Sequence, residues 1–391
     1  MNKEQLWSQI STTSTRFRTD SNGSHRWRDL LAYDPCGSFV LEHIEELPAL
    51  IDFLETNQQN VCSGYFSYDL GMLLQDVPSR HNTQVPLAVF QAYDKWVEYD
   101  QGQPKYVGLN PSDIPNKSMR VESPPLINFT PSTSESDYEK TIQRIKEYIR
   151  AGDFYQLNYT QRLPGQTTLP ISYAAMLEKH PAAYAMALES GMLKLHSLSP
   201  ELFLHYSEGV LTTEPIKGTR PRGKTQQEDD ILRQDLMGSE KEQAELYMIT
   251  DLLRNDLGKV SQVGSISLEA VKDIRKLPKV WHTYSRISGR LKNDLKPIDA
   301  LLSMLPGGSI TGCPKKHAIE IIDELEDSSR GVYTGAMGYF HPAGDFCFNI
   351  AIRTLVQQGA DISVGSGGGI TIDSQWEAEW EELLVKASTF T

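Results

Sequence analysis

Residues 134–163 read SESDYEKTIQRIKEYIRAGDFYQLNYTQRL, and two hydrophobic periods meet inside this stretch. In its first half Tyr138, Ile142, Ile145 and Ile149 recur at helical spacing and share a face. Ser136 and Glu139 stand in the capping-box relation at the start, and Gly152 supplies a stop. In the second half Tyr155, Leu157 and Tyr159 alternate with Gln156, Asn158 and Thr160, the two-residue period of a half-buried strand. Working outward, strands are expected in LFLHYSEGVLTT (202–213), ISLEAV (266–271), HTYSRISGRL (282–291), YTGAMGYF (333–340), FCFNIAIRTL (346–355) and DISVGS (361–366). Helical patterns interrupt them over about 239–257, 314–326 and 376–387. Strands therefore come in hairpin-like pairs between helices rather than in regular βαβ alternation, which predicts an α+β chain with mainly antiparallel sheets.

Upstream, LNPSDIPNKSMRVESPPLINFTPSTSE (109–135) is rich in Pro, Ser and Asn and carries neither period, so a boundary between segments is expected there. It separates a region over residues 1–120 from a second over 134–391. At 391 residues the chain is longer than one compact core usually grows, which suggests one bilobal unit or two intimately packed ones. A hydrophobic content of 39% and a charged content of 23% are those of an ordinary globular protein. The net charge of −13 disfavours a nucleic-acid partner, whose phosphates are bound by Lys and Arg, and an anionic ligand would need positive charge gathered locally. Cys36, Cys62, Cys313 and Cys347 lie far apart without a CxxC pair, which argues against a zinc site or a disulfide framework and fits a reducing cytoplasm. The opening MNKEQLWSQI has no cleavable apolar region and no stretch approaches bilayer length, so no membrane partner is expected.

Four segments carry candidate chemistry. In SPELFLHYSEGVLTTEPIKGTRPRG, Lys217 sits between a strand and Gly218 on a sharp turn, with Arg220, Arg222 and Lys224 close by to favour its deprotonated amine. Glu201, sixteen residues earlier at the head of a hairpin, would return beside it as a general acid or base. A solvated basic turn explains the same spacing. In SEKEQAELYMITDLLRNDLGKV, Ser239 caps a helix on which Glu242, Glu245, Ile249 and Leu252 share a face. Half-buried acids there need a proton, a partner or a hard cation such as magnesium, and a cap plus an arginine pair serves equally well. In SVGSGGGITIDSQWEAEWEELLVKA, a glycine run, Gly365, Gly367, Gly368 and Gly369, suits backbone amides closing on a carboxylate. It precedes a helix bearing Glu379, Glu382 and Lys386 on one face, where Glu382 could join Glu245 around a metal, or simply pair with Lys386. In LPGGSITGCPKKHAIEIIDELE, a GxxxxG run from Gly307 to Gly312 precedes a helix, but Cys313 stands where a Walker loop needs lysine, which excludes a nucleotide triphosphatase. His282 and Arg353 are polar residues inside apolar strand patterns, where satisfied structural groups are the commoner finding.

Taken in order, SPELFL, PIKGTRPRG, AELYMITDLLRNDLGKV, LPGGSITGCPKKHAIEIIDELE, RGVYTGAMGYF, IAIRT and GSGGGITIDSQWEAEWEE resemble the signature segments of the chorismate-utilising enzymes, the family of anthranilate, isochorismate, salicylate and aminodeoxychorismate synthases. The resemblance runs from about residue 136 to the end, with GYFSYDLG near Gly64 as a weaker upstream match. It implies a four-layer β-α-α-β sandwich with the N-terminal region, 1–120, interwoven with the rest. Lys217 in PIKGT, where anthranilate and isochorismate synthases carry Ala, turns the resemblance toward aminodeoxychorismate synthases of the folate branch. In that subfamily the lysine is the nucleophile, which implies Lys217 and Glu201 as catalytic residues. Glu245 and Glu382, supported by Glu242 and Glu379, would hold magnesium. Thr219, His282, Thr311, Gly312, Tyr333, Arg353, Gly367, Gly368 and Lys386 would line the chorismate site. Cys313 and Ile372 depart from the usual Ala at their positions without removing a proposed catalytic group. No cysteine sits in a Gly-Cys-Gly-like elbow, so ammonia is expected from a separate glutamine amidotransferase subunit. The alternatives are an anthranilate or isochorismate-type synthase and, in another class, a non-catalytic subunit that binds chorismate or tryptophan.

Overall fold

The structure, a computed structural model, describes residues 16–19, 29–100, 103–113 and 127–390. The N-terminal decapeptide and much of the Pro/Ser-rich boundary segment lie outside the described residues.

Among the described residues the strands form two sheets in which every adjacent pair is antiparallel. The first runs β7 (Gln103–Val107), β6 (Lys95–Asp100), β2 (Asp29–Tyr33), β1 (Arg16–Thr19), β9 (Tyr184–Ser190), β10 (Leu193–Ser199), β18 (Thr354–Gln358), β19 (Asp361–Ile370), β8 (Leu157–Gln166). The second runs β13 (Ile216–Pro221), β15 (Val280–Arg290), β12 (Val210–Glu214), β11 (Leu202–Ser207), β17 (Phe346–Ile350), β16 (Ala336–Phe340), β4 (Val61–Phe66), β5 (Ala88–Tyr93), β3 (Gly37–Leu41), with β14 (Ser267–Lys276) on the far edge of β15. Strands from the first hundred residues enter both sheets.

Alternation along the strands decides how the sheets stack. On β9, Tyr184, Met186 and Leu188 join a core with Tyr65, Val89, Met337, Tyr339 and Cys347 of the other sheet, and no helix contributes to it. The intervening Ala185 and Ala187, like Phe346, Phe348 and Ile350 of β17, face a second core that includes helices. Each sheet therefore turns one face to its partner and the other to helices. Asn349 on β17 donates to the Tyr184 carbonyl across the seam at 2.7 Å. The α+β class with antiparallel sheets is as expected. The layer order is helix–sheet–sheet–helix instead of β-α-α-β, because the long strands carry apolar residues on both faces, one set packed against the other sheet and one against helices.

Helices α3 (Glu135–Ala151), α8 (Lys315–Leu325) and α9 (Trp376–Ala387) cover the first sheet. Helices α1 (Leu47–Thr56), α5 (Gln226–Gly238) and α6 (Glu240–Val260) cover the second. Helix α7 (Pro297–Met304) packs beside α6, α2 (Tyr68–Leu74) packs against α7, and α4 (Tyr173–Lys179) precedes β9. The apolar face of α3 is buried as read, and Gly152 closes it in the left-handed conformation at φ 89°. Its cap differs: the Ser134 hydroxyl, not that of Ser136, accepts from the Asp137 amide. β8 starts at Leu157, and Tyr155 is 77% exposed while Gln156 and Thr160 are buried, so this strand is covered on both faces. FCFNIAIRTL is two strands rather than one, because the chain leaves the second sheet at Ile350, turns with Arg353 at φ 46°, and enters the first at Thr354.

Candidate active site between the sheets

The β11–β12 hairpin pairs Leu202 with Glu214, so the chain doubles back and sets Glu201, at the head of β11, beside Lys217 on β13. β13 is held on β15 with Lys217 opposite Thr283 and Thr219 opposite His282, and the register shifts at Gly218 between them. Gly218 is needed there: its φ is 78°, and a Cβ would stand 2.9 Å from Leu236 and 3.0 Å from the Glu242 carboxyl. The Lys217 carbonyl accepts from the Thr283 hydroxyl, which fixes the backbone beneath the amine.

Glu201 is 6% exposed, and burial pushes its carboxyl up to about 7 against the opposing pull of a Ser309 hydrogen bond and the Lys217 charge. A carboxyl that titrates near neutrality beside an amine can give and take a proton at working pH. His282 is buried, with Nδ1 2.9 Å from the Thr219 hydroxyl. Burial, and then the Arg353 charge, lower its pKa to about 4, so the imidazole is neutral. Among the described residues the Arg353 guanidinium has no carboxylate or hydrogen-bond partner, and burial lowers its pKa. A desolvated guanidinium without a counter-ion is a ready anion site, and it reaches this position because the chain crosses between sheets here.

The two acidic helices do converge. Lys241, at the start of α6, acts electrostatically on both Glu379 and Glu382 of α9, and Lys217 acts on Glu382 as well. Ser239 caps α6 by accepting from the Glu242 amide at 3.4 Å. The Glu242 side chain takes a different partner, Arg220 Nη1 at 2.8 Å, and its second oxygen is buried with no partner among the described residues. Glu245 lies 4.0 Å from Lys241. Glu379 accepts from Ser374 at 2.7 Å and its carboxyl is raised by burial. Glu382 is paired with Lys386 at 2.7 Å. Desolvation raises the Glu382 carboxyl, but Lys386, Lys217 and Lys241 more than offset it and hold it low. Among the described residues no three His, Cys, Asp or Glu side chains form a ready metal cage.

The glycine run is part of β19 rather than a loop, paired residue by residue with β8. Gly365 lies under the Tyr333 ring and Gly369 against the Gln156 amide, each too close for a Cβ, whereas Gly368 faces Glu379 Oε2 and Lys386 Nζ. Lys386 Nζ also donates to the Gly367 carbonyl at 2.7 Å. Tyr333 is buried, which pushes its phenol pKa upward. Thr311 turns its hydroxyl back onto the Gly307 and Gly308 carbonyls at 3.1 and 3.3 Å, and Gly312 packs against the Gln156 carbonyl and Ala318. Ser309, Thr311 and Gly312 also line an open groove of about 910 Å³ that runs along α6 past Tyr155, Met248 and Asn255. Sequence reading missed Ser309 and Lys241. The first looked like one more small residue in a Gly-rich loop, and the second like an ordinary exposed lysine.

This constellation pairs a half-buried lysine with a neutral-range acid, two acidic helices and an unpartnered arginine. The pattern of the chorismate binding enzymes matches residues 8–391, and the chain belongs to that family. It is 35% identical over 359 residues to anthranilate synthase component 1 1 of Haloarcula marismortui, covering 83% of this chain and 73% of that one. It is 33% identical to aminodeoxychorismate synthase component 1 of Bacillus subtilis, over 83% of this chain and 74% of that one. Against the chloroplastic aminodeoxychorismate synthase of Arabidopsis thaliana it is 33% identical over 97% of its own length, which is 47% of the plant protein. The solved anthranilate synthase component I of Streptococcus pneumoniae superposes with a TM-score of 0.82 at 26% identity, covering 95% of both chains. Relatives of both activities thus stand at similar distance, and the family is that of enzymes acting on chorismate.

Proposed function

We propose that this chain aminates chorismate to 4-amino-4-deoxychorismate through a covalent adduct on Lys217, with ammonia supplied by a separate glutamine amidotransferase subunit. The observation that carries the reading is the lysine itself, set on a bulged strand beside Glu201 and within electrostatic reach of Glu382.

The Lys217 amine attacks the ring carbon next to the carboxylate-bearing one. Both conjugated ring double bonds shift and the ring hydroxyl leaves as water with the proton of Glu201. Ammonia then bonds to the carbon that lost the hydroxyl, both double bonds shift back, and the Lys217 nitrogen leaves as the free amine. Glu201, now a carboxylate, recovers a proton from the new ammonium group. The sum is chorismate plus ammonia giving the amino product plus water. His282, uncharged, can accept or donate a hydrogen bond near the ring without repelling the ammonium, and Arg353 and Lys386 offer charge to the substrate carboxylates. These cations supply the local positive charge that a chain of net charge −13 needs to take up a dianion.

The donor set fits magnesium. All four acids offer oxygen, and a hard cation would satisfy both the Glu242 oxygen left without a partner among the described residues and the Glu379 carboxyl that burial raises. Glu245 and Glu382 would be ligands with Glu242 and Glu379 in support. Bound there, the ion would anchor the ring carboxylate and polarise the ring.

The rival reading is anthranilate synthesis, favoured by the 35% identity to the Haloarcula enzyme. Incubation of the purified chain with chorismate, magnesium and an ammonium salt separates the two. Aminodeoxychorismate identified by chromatography and mass spectrometry is the expected product, and anthranilate or isochorismate would overturn the role given to Lys217.

A further inference from the structure

Side chains of β8 alternate between two surroundings. Tyr159 and Leu163 face the core that includes helices. Thr160, on the opposite face, donates through its hydroxyl to Glu326 Oε1 at 2.8 Å. Arg162 lies two residues further on, so it shares that face, and it stands opposite Gly365 of β19. The Tyr333 ring fills the space above Gly365, where no Cβ would fit. Residues opposite each other on adjacent strands share a face, so the Arg162 side chain leaves the sheet beside the Tyr333 ring.

A cavity of about 40 Å³ lies there, with Arg162, Glu326, Asp327, Ser329, Tyr333 and Gly365 in its wall. Both acids are already engaged. Arg330 binds the Glu326 carboxylate at 2.8 and 2.7 Å, and Asp327, which is exposed, accepts from the Thr133 hydroxyl. Among the described residues the Arg162 guanidinium has no carboxylate or hydrogen-bond partner, and burial lowers its pKa. The Ser329 hydroxyl, in a residue 8% exposed, is likewise without a partner among the described residues. Desolvated donors that give their hydrogens to nothing are unfavourable until a ligand or water takes them. A water-sized group needs about 10 to 15 Å³, so the cavity has room for about three, as many as the heavy atoms of a carboxylate.

We infer that this cavity is a binding site for a small carboxylate, formate or acetate in size, held by the Arg162 guanidinium and the Ser329 hydroxyl, and that its occupancy opposes chorismate binding. The planar fork of the guanidinium matches the two oxygens of a carboxylate, and Glu326, neutralised by Arg330, does not repel it. Tyr333 is a wall of the cavity and, by resemblance, of the chorismate site. While the cavity is empty, Arg162 adds its charge to those of Arg353 and Lys386 in drawing in a dianion. A bound carboxylate neutralises that charge from behind Tyr333 and touches no reacting atom. The site does not depend on which product the chain releases from chorismate.

Thermal unfolding of the full chain in sodium formate, against sodium chloride of equal ionic strength, reads occupancy without turnover. A ligand bound by the folded state alone raises the midpoint, so formate should raise that of the wild type by about 2 °C over chloride. Arg162→Gln should lose the shift, and Arg353→Ala, which leaves the cavity intact, should keep it. Ser329→Ala retains the guanidinium and should need about three- to tenfold more formate for the same shift. A wild type indifferent to formate, or a shift that survives in Arg162→Gln, overturns the inference. In the kinetic arm, formate should raise the wild-type KM for chorismate about two- to fivefold over chloride with kcat unchanged, and leave the KM of Arg162→Gln where it was. An equal rise in both proteins would mean that formate competes at Arg353 directly, and overturns the coupling to chorismate. The thermal arm contains no substrate, so its failure is distinguishable from failure of the amination reading.

Discussion

Replacing Glu201 with Gln should abolish turnover and, at the same time, make the protein more stable above neutral pH. The carboxyl is raised from 4.5 to about 7, chiefly by burial. Between those two values the folded chain binds a proton that the unfolded chain has released, so stability is present in full below the unfolded pKa and is lost as pH rises through the folded one. The shift is about 2.5 units, worth roughly 3 kcal/mol at 1.36 kcal/mol per unit, of which about 2.5 kcal/mol is lost between pH 5 and pH 8. Glutamine carries no titrating proton and is close in shape, so the variant lacks this loss. Urea unfolding of both proteins at pH 5 and pH 8 is the assay. The wild type should fall relative to Glu201→Gln by about 2 to 3 kcal/mol over that interval, while amination by the variant is undetectable. Parallel pH dependence in the two proteins would show that Glu201 is not a buried acid held above its ordinary range, and the argument for its catalytic role would go with it.

Lys217→Ala should leave the far-ultraviolet circular dichroism and the unfolding midpoint unchanged and remove aminodeoxychorismate formation; normal yield would sink the nucleophile assignment. Glu382→Gln should lower turnover and weaken the magnesium response, and an unaltered magnesium titration would refute its part in holding the ion. Arg353→Ala discards a half-buried charge without a counter-ion among the described residues, so KM for chorismate should rise about 10- to 100-fold with no loss of stability, as read by kinetics and thermal unfolding together. Gly218→Ala, which combines a left-handed φ with a 2.9 Å approach to Leu236, should cost about 1 to 3 kcal/mol and displace Lys217, visible as a lower urea midpoint and a lower kcat.

Gathering both acidic helices, Lys217 and Arg353 at the junction of two sheets has a functional logic. An unpaired guanidinium and an orphaned carboxylate oxygen are each unfavourable in a buried setting, and they lie here around one site. A dianionic substrate and a divalent cation would relieve them together, which is the arrangement expected when folding energy is invested in binding.

Local order was legible in the chain itself. The faces of α3, α6 and α9, the stop at Gly152, the cap at Ser239 and the hairpin that returns to Lys217 all follow from contacts a few residues apart, where periodicity and capping chemistry act directly. The segments that carry the family likeness were equally visible, since each is contiguous. Tertiary structure decided the rest. Whether Glu242 meets Glu382, whether Arg353 finds a partner and whether the glycine run is a loop or a strand depend on which sheet a segment joins, and both faces of these strands are apolar enough for either side. The layer order was unreadable for the same reason. Periodicity states that a face is buried, but the neighbour it is buried against comes from a segment that can lie a hundred residues away.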